Sequence, residues 1–271
     1  MPDYTQYLQT LRSHGAAAEV DEYAQVQENG RTYPLIRVTV AGEPKVVITA
    51  GFHGEEPAGP LTLAHHLSAI CAYARRQGVG LLMFPCINPS GFEAGTRYNA
   101  SGERPNNDFL RYEVSPGQWK GELVDGEPFL RWQLFDGGPK ETKAVRTELE
   151  RHPVPMAALD LHQDNYLGRP AAYAYVFGDA GHYSPLMKRT SQHAKIAMRW
   201  GVDDHHKTDA LGMVRYHDGS ITDYFLRRGV PYTAALETTT KTALDACHRI
   251  NLTWIEGFID LAAASAQPRS P

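Results

Sequence analysis

"ITAGFHGEEPAGPLTLAHHL", residues Ile48 to Leu67, is an apolar run that breaks at Gly-Phe-His-Gly-Glu-Glu and resumes with its apolar residues at helical spacing. An unbroken apolar run suits a strand covered on both faces, and a helix directly after it suits an α/β fold. Similar runs at Leu35–Val40, Lys45–Ala50, Gly80–Ile87, Ala157–His162, Ala171–Phe177 and Tyr232–Glu237 read as strands. Helical spacing falls between or after them at Leu61–Arg76, Lys140–Arg151, Ser184–Trp200, Ser220–Arg228 and Asp245–Ala263. The alternation predicts an α/β domain with a mixed, twisted β-sheet flanked by helices. Ser90–Pro139, rich in Gly, Pro, Asn and Asp, is too long for an ordinary connection and reads as a functional loop region.

Composition narrows the class. The 271 residues are 42% hydrophobic and 21% charged, enough for one domain spanning 1–271 with a sizeable core. A formal charge of −4, with no basic face or Lys/Arg run, argues against nucleic acid and anionic membranes as partners. Cys71, Cys86 and Cys247 lie far apart in apolar contexts and read as buried thiols in a reducing compartment. The first residues lack a basic start followed by an apolar stretch, and no 18-residue apolar run occurs, so a cytoplasmic protein is expected. Ser265–Pro271 reads as a tail.

Chemistry gathers at strand ends. In open α/β sheets ligands bind beyond the carboxyl ends of the strands. His53 and Glu56 follow one strand at a spacing that lets both reach one Zn²⁺, with Gly54 allowing a tight turn. His162 ends another apolar strand, with Asp160 two residues earlier on the same face, as a support for the imidazole or a capping carboxylate. Glu237 closes the last one, where a carboxylate suits a general base for a metal-activated water. Singly, each has an ordinary reading: a polar turn at a helix N-terminus, a histidine bonded to backbone, a surface acid. Together, two histidines and a glutamate with one position left open have the composition of a hydrolytic zinc site.

With these residues in view, most of the sequence resembles the zinc carboxypeptidase (funnelin) family of metallopeptidases. "FHGEE" matches the family's His-x-x-Glu, which implies His53 and Glu56 as zinc ligands and leaves Glu55 a bystander. "NPSGF", Asn88 to Phe92, matches Asn-Pro-Asp-Gly with Ser90 for Asp, and "DLH" implies His162 as third ligand. Asn106 lies nine positions after Arg97, as in small bacterial members. The resemblance therefore casts Arg97 as the residue that polarises the carbonyl and stabilises the oxyanion, and Asn106 as a substrate-carboxylate ligand. Tyr216, ahead of Gly219-Ser220 and 21 residues before Glu237, resembles the tyrosine that closes over substrate. Glu141 in "GPKETKAV" resembles a structural glutamate at a helix start.

One position departs from the pattern. The family arginine that pairs with a substrate's C-terminal carboxylate is Asn107 here, and an amide cannot replace the charge of a bidentate guanidinium. Asn107 stays, with Asn106 and Tyr216, a candidate for orienting the substrate, and Arg104 and Arg111 are the nearby cations that could supply the lost charge. Murein peptide amidases fit the size and the Arg97 spacing. Aspartoacylases and succinylglutamate desuccinylases share the zinc triad but carry a further β-domain, whereas 34 residues follow Glu237 here.

The resemblance thus implies a one-zinc hydrolase cleaving a peptide or isopeptide bond in a small peptide, by a metal-activated water with Glu237 as general base. The alternatives are a deacylase of N-acyl amino acids and a catalytically silent binding homologue. A serine hydrolase is disfavoured because no Gly-x-Ser-x-Gly elbow occurs. Asp203–Lys207, "DDHHK", reads as a solvated polar loop, and His65 and His66 as helix packing. His182, His193 and His248 suggest no partner, and His217, beside Tyr216, is a candidate for the cleft wall.

Overall fold

The computed structural model describes residues 2–43 and 45–266; of the expected tail, residues 267–271 lie outside the described residues. The chain begins with α1 (Tyr4–Ser13) and the hairpin β1 (Glu19–Glu28) and β2 (Arg31–Val40), followed by β3 (Lys45–Ala50), α2 (Ala58–Arg76) and β4 (Gly80–Phe84). Next come α3 (Pro89–Ala94), β5 (Leu110–Ser115), β6 (Gln118–Lys120), β7 (Leu123–Val124), β8 (Arg131–Leu134) and α4 (Lys140–Leu149). The last part holds β9 (Ala157–Asp164), β10 (Ala172–Val176), α5 (Ser184–Thr190), β11 (Met213–Val214), β12 (Tyr216–His217), α6 (Ile221–Arg227), β13 (Tyr232–Thr239) and α7 (Leu244–Ala266).

Among the described residues the main sheet has eight strands in the order β1-β2-β4-β3-β9-β13-β10-β11. Its centre, β4-β3-β9-β13, is parallel, so those strands end on one side. The pleat splits their side chains between two layers. Val46, Ile48, Leu159 and Leu236 pack with α2 and α7 through Leu63, Leu67, Ile250 and Trp254. Val47, Leu82 and Ala158 face the other way, onto Val145 of α4 and Ile221, Tyr224 and Phe225 of α6. This is the expected mixed sheet between helices, and all three cysteines are free and buried. No helix among the described residues is long and apolar enough to cross a membrane.

Several boundaries differ from expectation for identifiable reasons. The strand begun at Gly80 stops at Phe84, before Pro85, which has no N–H to continue a ladder. The helix expected over Ser184–Trp200 ends at Thr190, because the chain beyond turns onto the sheet edge: Ala172 N–H donates to Lys195 O and Ala197 N–H to Ala172 O. Ser90–Pro139 is folded rather than open. It contributes α3, a three-stranded sheet in the order β6-β5-β8, and β7 paired with β12, and it buries Phe109, Leu110, Tyr112 and Leu123. The final helix runs through Ser265, which the sequence assigned to the tail.

Trp254 anchors the α7 layer: it is fully buried, stacks on Tyr183 and donates from Nε1 to Thr190 Oγ1 at 2.9 Å. Trp254→Ala should destabilise the fold by about 3–5 kcal/mol, as a lower midpoint in denaturant with an unchanged m-value.

Candidate metal centre

The chain leaves β3 through Gly51, whose φ of +71° takes it into the left-handed region, so the tight turn is made there rather than at Gly54. Gly54 is required for a different reason: a Cβ there would lie 1.8 Å from the carbonyl carbon of Gly91. The loop carrying His53 is thus packed against the Asn88–Gly91 segment. Asn88 ties the two together, donating from Nδ2 to Phe52 O at 3.1 Å and accepting from Gly91 N–H at 2.9 Å. The Asn-Pro-Ser-Gly motif therefore places the His53 loop.

His53 and Glu56 on this loop meet His162 of β9, and all three are buried, with 4%, 3% and 4% exposure. His53 Nδ1 lies 2.8 Å from Glu56 Oε1, and His162 Nδ1 lies 2.7 Å from Glu56 Oε2. Behind His162, Nε2 is 2.7 Å from Asp160 Oδ2, whose other oxygen accepts from Thr49 Oγ1 at 2.7 Å. Asp160 thus orients the imidazole rather than capping a turn. Burial pushes His53 down to about 4. Burial also works against a charged His162, but Asp160 and Glu56 outweigh it and hold the imidazole well above its ordinary value. For Glu56 burial is outweighed by the two imidazoles, which keep its carboxyl well below the usual range.

The donor set fits a divalent metal such as zinc. One ligand atom from each of the three residues falls within 4.8 Å of the others, the donors are two imidazoles and a carboxylate, and His53 Nε2 is buried without a protein partner among the described residues. The trio opens into a cavity of about 670 Å³.

Glu237 lies beside His162 in the β9–β13 register and lines this cavity. Its Oε2 is buried without a partner among the described residues, and burial holds its carboxyl well above the ordinary range. Arg97 also lines the cavity, its Nη1 3.2 Å from Glu55 Oε1 and 3.1 Å from Glu56 Oε1. Glu55 is therefore no bystander: it holds Arg97 and accepts from Asn165 Nδ2 at 2.9 Å. Asn106 has a φ of +110°, accepts from Ile221 N–H at 3.1 Å and places Nδ2 3.4 Å from Asp160 and 3.1 Å from His162 Nε2. Asn107 donates to Asp218 Oδ2 at 2.8 Å. Tyr216 reaches the cavity from β12 with its ring 3.9 Å from that of His206.

Other histidines sort differently. The loop read as solvated, Asp203–Lys207, places Asp203, Asp204, His205 and His206 on the cavity wall, with His206 Nδ1 2.6 Å from Asp203. His217, the candidate for that wall, is buried among Asp223, Arg227 and Phe177 instead. His65 and His66 pack on His248, which does have a partner, Thr62 Oγ1 at 2.8 Å. Tyr173 and Tyr175, also on the wall, drew no attention in the sequence because they alternate with alanines and read as strand core. Glu141 is structural as expected. It accepts from Asn99 at 3.0 Å, and Asn99 in turn holds Ser101 and Glu103, which shapes the loop after Arg97.

Residues 42–152 match the model of the succinylglutamate desuccinylase/aspartoacylase catalytic domain. Murein peptide amidase A of Escherichia coli is 35% identical over 86 residues, 32% of this chain and 30% of that protein, so the match spans under a third of this curated relative. A protein from Shewanella denitrificans provisionally assigned as a metallopeptidase superposes with a TM-score of 0.72 and 21% identity over 96% of this chain and 91% of its own. A metallo-carboxypeptidase from Burkholderia cenocepacia does so with 0.65 and 15%, over 97% of this chain and 69% of its own. At these identities the two structures establish a shared fold.

Two predictions follow from this packing. Gly54→Ala should destabilise the protein by about 2 kcal/mol or more and weaken retention of an added divalent metal on dialysis, because neither backbone can retreat. Burial raises Glu141 from 4.5 to about 7, so the folded state holds a proton there that the unfolded chain has already lost. Stability should therefore fall as pH rises from 4.5 through 7. Glu141→Gln should flatten that slope, by up to about 3 kcal/mol between pH 5 and 8 in urea titrations.

Proposed function

We propose that this protein, which shares its fold with a metallo-carboxypeptidase, is a one-zinc hydrolase of amide bonds, acting on a small peptide or isopeptide. The observation that carries the reading is the buried Oε2 of Glu237, without a partner among the described residues, beside a convergent His53, Glu56 and His162. Those three residues would hold the ion. Bound zinc supplies Lewis acidity, which lowers the pKa of a water and polarises a carbonyl.

The remaining work falls to the chain's own groups. Glu237 Oε2 accepts a proton from the attacking water and returns it to the leaving amine; burial, by raising its proton affinity, suits it to both directions. Arg97, a fixed cation at the cavity wall, faces the negative charge that develops on the carbonyl oxygen. Glu55 and Glu56 set its position beforehand. Asn106 acts mainly as a positioning residue, since its amide joins Asp160 and His162 to the start of α6. Tyr216 closes the side of the cavity formed with His206.

A second reading is hydrolysis of N-acyl amino acids, favoured by the family model matched over residues 42–152. A panel of muropeptides, C-terminal dipeptides and N-acyl amino acids separates the two by kcat/KM. Glu237→Gln should lower kcat by about 10²–10⁴-fold while the protein still carries stoichiometric zinc by elemental analysis. Unimpaired turnover in Glu237→Gln, or wild-type protein that fails to bind zinc, would overturn the proposal.

A further inference from the structure

Outside the lining of the cavity, three glutamates from distant parts of the chain converge: Glu28 at the end of β1, Glu103 in the loop after Arg97, and Glu141 at the start of α4. One carboxylate oxygen of each lies within 4.8 Å of the others. Surface acids often gather without consequence, but Glu28 and Glu141 are only 2% and 0% exposed, and Glu103 is half-buried. Carboxylates brought together away from water repel one another more strongly, so a buried trio needs donors or cations to offset it.

The protein's own groups fall short of that. Asn99 Nδ2 is shared between two of the three, 2.9 Å from Glu103 Oε2 and 3.0 Å from Glu141 Oε2. Ser101 Oγ donates to Glu28 Oε2 at 2.7 Å. Lys140 Nζ stands at the rim, 2.8 Å from Glu28 Oε1 but without hydrogen-bond geometry, and donates instead to Gln27 O at 2.7 Å. The remaining oxygen of the fully buried Glu141, Oε1, has no partner among the described residues. One ammonium against three carboxylates leaves an excess of negative charge and an idle buried oxygen at the same point.

We propose that Glu28, Glu103 and Glu141 form a second metal site, separate from the histidine centre, for a hard divalent cation of the Ca²⁺ type. The donors decide the class: three carboxylates with no nitrogen or sulfur suit Ca²⁺, which takes carboxylate oxygens directly at about 2.3–2.6 Å. Two oxygens on one such ion lie at most about 5 Å apart. The spread of 4.8 Å meets that limit. Mg²⁺ would keep several of its waters, for which a cluster with two buried carboxylates leaves little room. On binding, the cation displaces the proton that Glu141 otherwise holds near neutrality. The consequence for the molecule is mechanical. Glu103 lies between Arg97 and Asn106 in the chain, so an ion bridging it to β1 and α4 clamps the loop that joins these two residues of the cavity wall.

The test titrates Ca²⁺ alone into the full chain with its zinc supplied. By calorimetry wild type should bind one Ca²⁺ per chain, and its melting temperature should rise with Ca²⁺ concentration. Glu103→Gln, chosen because the residue is half-buried, should weaken Ca²⁺ binding by about tenfold or more, at unchanged zinc content and unchanged melting temperature in the absence of Ca²⁺. Lys140→Met, which removes the competing ammonium, should strengthen it. Amide hydrogen exchange over residues 97–106 should slow when Ca²⁺ is added to wild type and stay unchanged in Glu103→Gln. No heat of binding and no thermal shift in wild type at about 10 mM Ca²⁺, or equal affinity in wild type and Glu103→Gln, would overturn the site. Binding that leaves exchange over 97–106 unaltered would overturn the clamp.

Discussion

The buried carboxylate of Glu56 is the knot on which the site depends. It receives His53 Nδ1 and Arg97 Nη1 on one oxygen, and His162 Nδ1 and the N–H of Gln163 on the other. A carboxylate at this depth is tolerable only because each oxygen faces cationic or donor groups, and those groups come from three separate parts of the chain. Gln163 extends the tie: its side-chain oxygen accepts from Ala58 N–H at 2.8 Å and so caps α2 from β9. The helix after the His-Gly-Glu-Glu stretch and the strand bearing His162 are thus fastened at the point where the ligands meet.

Around this knot, further side chains hold the convergent residues in place. Thr49 fixes Asp160, Asp160 fixes His162, and Asn106 joins both to the first residue of α6. Gly54 and Gly91 let two loops approach so closely that a single methyl group would separate them. Asn99 and Glu141 shape the loop beyond Arg97. Each of these contacts removes a degree of freedom from a ligand or a charged side chain, which is how a site is held ready before a substrate arrives.

Much of the fold was legible because the central strands are buried on both faces and therefore read as unbroken apolar runs. The core of the candidate site was legible for a related reason. Parallel strands all deliver their C-terminal residues to one edge, so His53, Glu56, His162 and Glu237 could be placed together from their positions at strand ends. The hairpin β1–β2 was only half visible, since one strand has few buried residues and carries mostly polar ones. Ser90–Pro139 does reach the cavity as expected, but its short strands were missed because its buried aromatics and leucines are scattered among turn residues with no clear period.

Sequence alone thus determined the layered sheet, the residues that converge at the candidate site and the buried thiols, because strand ends and residue types are local properties. Tertiary structure decided what those residues touch. It made Glu55 a partner of Arg97, turned Asn107 toward Asp218, and brought the Asp203–His206 loop to the cavity. Such pairings join segments up to more than a hundred positions apart, and their energies depend on burial and neighbouring charge, which a linear pattern does not carry.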